Sequence, residues 1–191
     1  MVTGTPVYMG IDQSVGGCGV TMLSPAGDYS YTRTKAFPLA KFGGKEVLQL
    51  MALEDWIIEC LSGYHDRLKL IAREGFAYGA KMGREKAGAI AYAVDSTLVD
   101  WVATDARYPS VIAPGSVKEF ATGKGKATKQ EMLDAVKKLW GKDFGKDDNA
   151  ADSFVLAQMA YALDGGETGS PWQTQVLTKP KKAKSRTRKK T

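Results

Sequence analysis

The sequence is poor in the residues that build metal and redox centres of the nitrogen and sulfur type. Its 191 residues include one histidine, His65, and two cysteines, Cys18 and Cys60. The cysteines are far apart and lack the paired spacing of a zinc site or redox motif, so they read as buried reduced thiols. His65 falls in the segment GYHD, where a surface role is expected rather than that of a general base. No apolar run approaches the roughly 20 residues a membrane-spanning helix needs, which excludes insertion in a bilayer. The opening MVTGTPVYMGID lacks the basic segment, apolar stretch and small-residue cleavage site of a secretion signal, so a cytoplasmic location is expected.

Excess positive charge is also missing from most of the chain. The formal net charge is +6, but the last thirteen residues, KPKKAKSRTRKKT, hold eight basic side chains and no acidic one. Taking these eight from the 27 Lys and Arg leaves 19 against 21 Asp and Glu, a body of −2. That asymmetry describes a compact domain with an electrostatic arm for a polyanion, nucleic acid above all, rather than a uniformly basic face. Tails of this composition cannot bury enough apolar surface to fold, and a merely solubilising tail would look the same. The expected organisation is one domain over residues 1–165 and a flexible basic tail over 166–191.

Apolar alternation predicts short strands at 7–12 (VYMGID) and 19–23 (GVTML) around a Gly-rich turn. The turn signal at 24–28 leads to a third, half-solvated strand at 29–36. Three- and four-residue apolar spacing predicts a helix over 45–61 ended by Gly63. A buried strand follows at 68–73 (LKLIAR), ending at Glu74, then an Ala-rich helix over 84–104 and a strand at 110–113. Pro114 opens a short helix to 120. Thr128 and Glu131 have the spacing of a capping box for a helix closed by Trp140. A last helix spans 148–163 and stops at Gly165-Gly166. Three antiparallel strands followed by strands alternating with helices define an α/β fold, a mixed five-stranded sheet flanked by helices on both faces, the order used by the ribonuclease H fold.

Four acids stand out against this frame: Asp12 near the end of the first strand, Glu74 at the end of the fourth, and Asp148 and Asp152 in the last helix. Strand carboxyl ends share one rim, where open α/β sheets place ligands. A spacing of four puts Asp148 and Asp152 on one helix face. Carboxylates gathered without cationic partners repel, and a hard divalent cation with oxygen ligands is the simplest way to keep them ionised. Magnesium fits, with manganese as an admissible substitute, and two ions about 4 Å apart suit phosphodiester hydrolysis. Taken singly, each acid has a plainer role, Asp148 as a helix cap, Asp147 in the first turn, Glu74 on the surface. Taken jointly, coincidence is the weaker account.

The segments GIDQSVGGCGVTML, IAREGF, VKEFATGKGKATKQEML and DDNAADSFVLAQ, in this order over residues 7–163, resemble the RuvC-type Holliday junction resolvases, including phage-type members. The resemblance implies a homodimer that binds four-way or branched DNA and nicks it symmetrically with an acidic quartet and magnesium, in the cytoplasm, or the host's if phage-encoded. Asp12, Glu74 and Asp152 match by motif position. For the third acid the four-residue spacing of mitochondrial members selects Asp148, with Asp147 in reserve. Lys118 and Lys129 fall where the family has basic residues near the DNA backbone, and Lys124 and Lys126 add charge in the intervening loop. Phe76 and Tyr78 lie near the family's stacking aromatic. Small residues at 87–93 allow another helix to approach closely, within the core or across a dimer axis, and the family favours the dimer. Two other classes compete: a non-catalytic binder of branched nucleic acid, and an actin- or sugar-kinase-like phosphotransferase that reads GIDQSVGGCG as a phosphate-binding turn.

Overall fold

The structure, a computed structural model, describes residues 4–14, 16–25, 29–75, 84–102 and 105–179. Five strands form one sheet: β1 (Val7–Gln13), β2 (Gly17–Ser24), β3 (Tyr29–Ala36), β4 (Leu68–Glu74) and β5 (Ser110–Ile112), in the order β3-β2-β1-β4-β5. β1 pairs antiparallel with β2, and β2 with β3, while β1–β4 and β4–β5 are parallel. The parallel pairs require crossovers, which are supplied by the helices α1 (Glu46–Leu61) and α2 (Arg84–Trp101). Beyond β5 come α3 (Pro114–Thr122), α4 (Lys129–Trp140), α5 (Asp148–Leu163) and α6 (Pro171–Thr178). This is the mixed sheet expected from the sequence.

The central strand β1 is buried along its whole length, and its alternation sorts the molecule into two cores. Val7, Met9 and Ile11 face a cluster with Trp56, Ile57 and Leu61 of α1 and Ile90, Val94 and Leu98 of α2, which also takes in Cys18 and Cys60. Both thiols are free and buried, as their isolation in the sequence implied. Tyr8 faces the opposite core with Ala72, Phe120, Met132, Phe154 and Leu156. On this second side β1 presents Gly10 and β2 presents Gly19. A Cβ on Gly10 would lie 2.0 Å from the Ser153 carbonyl oxygen, and one on Gly19 would lie 2.3 Å from that of Asn149. The two glycines therefore let the backbone of α5 rest directly on the sheet. Buried hydroxyls of Thr21 and Ser153, 3.0 Å apart, seat it there.

Helix ends follow their sequence signals. Thr128 and Glu131 form the reciprocal capping box, and Gly141 closes α4 in the left-handed conformation. One expectation needs correction. The domain does not end at residue 165: α6 folds onto α3, with Gln173 and Val176 buried and the Trp172 indole donating to the Phe120 carbonyl at 3.2 Å. Tertiary packing, which no local pattern in GSPWQTQVLT announces, stabilises this short helix. Of the small residues of α2, Ala91 and Ala93 are buried within the chain, whereas Ala89 is exposed and Ala87 and Gly88 are half-buried. Among the described residues no helix is long and apolar enough to cross a membrane.

Candidate active site

Strand parity decides which way the acids point. Asp12 follows Tyr8 and Gly10 on the α5 side of β1, and Glu74 follows Leu70 and Ala72 on the same side of β4. Asp12 pairs in register with Gly19, the residue that admits α5. α5 begins at that rim, so Asp148 and Asp152 meet the two strand acids there. The capping roles weighed for the DD pair are reversed: Asp147 is the cap, accepting from the Ala150 amide at 3.0 Å and from the Thr34 hydroxyl at 2.6 Å. Its carboxylate is committed, whereas Asp148, one residue into the helix, acts electrostatically on Asp12 and Asp152.

Burial and neighbouring negative charge raise Asp12, Glu74 and Asp152 above the ordinary carboxylate range. Asp12, 5% exposed, is pushed up to about 8, first by burial and then by the charges of Glu74 and Asp152. Burial, then Asp152, raises Glu74 to about 7, opposed by a hydrogen bond from Asp12 and by the Lys118 ammonium. Asp12 and Glu74 act directly on one another, so the two titrate as a unit. Asp152 is raised to about 6 by burial and by Asp148, against Lys118 and Lys129. Lys129 forms an ion pair with Asp148, which holds its ammonium above the usual value. Lys124 turns instead to Glu131, at 3.3 Å, and Lys126 is exposed in the same loop. Phe76 and Tyr78 lie outside the described residues. His65 sits beside Asp66, at 3.3 Å, in a one-turn helix before β4.

Among the described residues no three carboxylate, imidazole or thiol groups already converge as ligands of one ion. Lys129 draws on Asp148 instead, while Asp12 and Glu74 act on each other at the strand ends. The donor chemistry nonetheless fits a hard divalent cation. Carboxylate oxygens from β1, β4 and α5 are crowded at one rim, and their charge is so poorly compensated that protons are retained. The sequence did not single out Arg73, Asp95 or Gln13, whose bonds to one another and to the Glu74 backbone lie just behind this rim. A charged residue directly after the run LKLIA, ahead of Glu74 in the same strand, was the available signal for Arg73.

A five-stranded mixed sheet with acids at the carboxyl ends of its first and fourth strands and in its last long helix defines a ribonuclease H-like fold. Within that class the chain has the RuvC-like form. It is similar to a structure of Thermus thermophilus RuvC, with a TM-score of 0.61 and 20% identity over 83% of this chain and 96% of that one. It is also similar to T. thermophilus RuvC in complex with Holliday junction substrate, with a TM-score of 0.63 and 22% identity over 84% and 96% of the two chains. No protein-family model matches the sequence, and no curated protein does.

Proposed function

We propose that this chain is a magnesium-dependent endonuclease that nicks four-way or otherwise branched DNA by phosphodiester hydrolysis. One observation carries the reading: buried carboxyls from β1, β4 and α5 are crowded at one rim with their charge unrelieved, at evident electrostatic expense. Asp12, Glu74, Asp148 and Asp152 would hold the cation. A divalent ion so held supplies an activated water and stabilises the leaving oxygen of an in-line displacement. The chain's own residues do the rest. Asp12, Glu74, Asp148 and Asp152 would serve as ligands in their ionised form, and Lys129, paired with Asp148, and Lys118 would offer their ammonium groups to the phosphate. Lys124 and Lys126 offer further phosphate contacts along the loop, and Phe76 or Tyr78 a stacking surface for unpaired bases. Binding to a junction is supported by the fold shared with a RuvC seen on a Holliday junction substrate. A homodimer would supply two such sites for symmetric nicks.

The test is cleavage of a labelled synthetic four-way junction, a fork and a linear duplex, with magnesium and with chelator. Paired nicks on opposing strands of the junction, dependent on the ion, are the expected result. Asp12→Asn should lower the rate by more than about 100-fold, beyond the effect of losing an outer-shell partner, while leaving junction binding in place. Binding without cleavage by the unaltered protein would make it a binder, and a rate that responds to nucleotide would favour a phosphotransferase.

A further inference from the structure

A strand that delivers a carboxylate to a reacting centre must hold its own end still. The residue before Glu74 is Arg73, only 6% exposed and directly after the buried Ile71 and Ala72. A buried guanidinium requires partners. Arg73 points to the face opposite Glu74 and grips Asp95 of α2 with two bonds, Nε to Oδ1 at 2.7 Å and Nη2 to Oδ2 at 2.8 Å. Its remaining arm, Nη1, donates to the main-chain carbonyl of Glu74 at 3.1 Å. That carbonyl also accepts from Gln13 Nε2, at 2.5 Å.

Gln13 follows Asp12 directly, so the same bond ties the segments that bear both strand acids. The ladder between β1 and β4 ends at Ile11 and Arg73, and the Glu74 carbonyl lies one residue beyond the last pairing. Side chains thus close the strands where main-chain pairing gives out. Gln13 is 8% exposed, and its Oε1 is buried with no hydrogen-bond partner among the described residues. The amide is therefore oriented by the one bond it donates, since flipping it would set oxygen against oxygen.

We propose that Gln13, Arg73 and Asp95 are positioning residues, a bracket that clamps the Glu74 carbonyl and so fixes the spacing of Glu74 from Asp12 at the open end of the β1–β4 ladder. The assignment rests on the nuclease reading above. None of the three touches substrate; each acts through the Glu74 peptide, whose rotation would swing the carboxyl away from the cluster. A misplacement of about 1 Å at a reacting centre is worth on the order of 100-fold in rate.

Asp95→Asn removes the charge that orients Arg73, and Gln13→Met removes the other donor at matched length. Gln13→Met should keep its thermal midpoint near that of the parent protein, Asp95→Asn should lower its own because the buried Arg73 loses its counter-charge, and both should keep junction KM when rates are compared per folded molecule. Each should lose about tenfold or more in kcat, in the range of an outer-shell partner, and need more magnesium for half-maximal rate. Without DNA, calorimetry with manganese chloride should show weaker ion binding in both, with partial recovery in Asp95→Glu. Unchanged kcat and ion affinity in both variants, or losses that merely track the folded fraction, would overturn the bracket. If the parent protein cleaves no junction, the nuclease reading fails separately, and the bracket is then decided by the manganese affinity of Gln13→Met against the parent.

Discussion

Asp12 sits at the end of a fully buried strand, and that position sets how stability depends on pH. In the unfolded chain an aspartate titrates near 3.8 and a glutamate near 4.5, whereas the folded protein raises Asp12 to about 8, Glu74 to about 7 and Asp152 to about 6. The folded state therefore binds more protons across this interval, and the stability these groups contribute is lost as pH climbs from about 4 to about 8. In chelator the thermal midpoint should fall between pH 5 and pH 8, and magnesium should restore more of it at pH 8 than at pH 5. A midpoint that rises with pH in chelator would contradict the electrostatic picture. All four acids were visible as letters in the sequence, because a carboxylate closing an apolar strand is conspicuous. Their pairing was not. The choice of Asp147 as cap depends on Thr34, a residue 113 positions away, and no local spacing records that bond.

At the scale of elements, the seating of α5 on β1 and β2 places half of the cluster. Gly10 is the residue on which it depends, since any side chain there meets helix backbone rather than a yielding side chain. Gly10→Ala should destabilise the fold by more than the roughly 1–3 kcal/mol usual for overpacking, read by chemical denaturation, and should impair cleavage even in the folded fraction because α5 must shift. A neutral Gly10→Ala would mean that α5 is not held by this close approach. Helices with strong end signals, α4 with its capping box and α5 with its terminal glycines, could be read from sequence almost to the residue. α6 could not, because eight residues with few apolar positions become a helix only when α3 offers Trp172 a surface.

At the scale of the whole molecule, the end of α6 fixes where the basic segment departs. Lys179 pairs with Glu119 at 2.5 Å, next in sequence to Lys118 at the acid rim. Removing residues 180–191 takes away seven basic side chains. Junction binding should weaken, and its dependence on salt should become shallower, by about 0.9 in log–log slope for each phosphate that the segment had neutralised. Titrations at several salt concentrations would show this, and an unchanged slope would remove the segment from the binding surface. The sheet, meanwhile, works as a partition. All four acids and both cluster lysines lie on one side of it, while the other holds α1 and α2 with exposed Val47, Met51 and Tyr92, and Gln13 and the Arg73–Asp95 pair tie the two at the Glu74 carbonyl. A molecule divided in this way can be re-surfaced on the half away from the acids, to alter solubility or association, provided Gln13, Arg73 and Asp95 are left alone and the reactive half untouched.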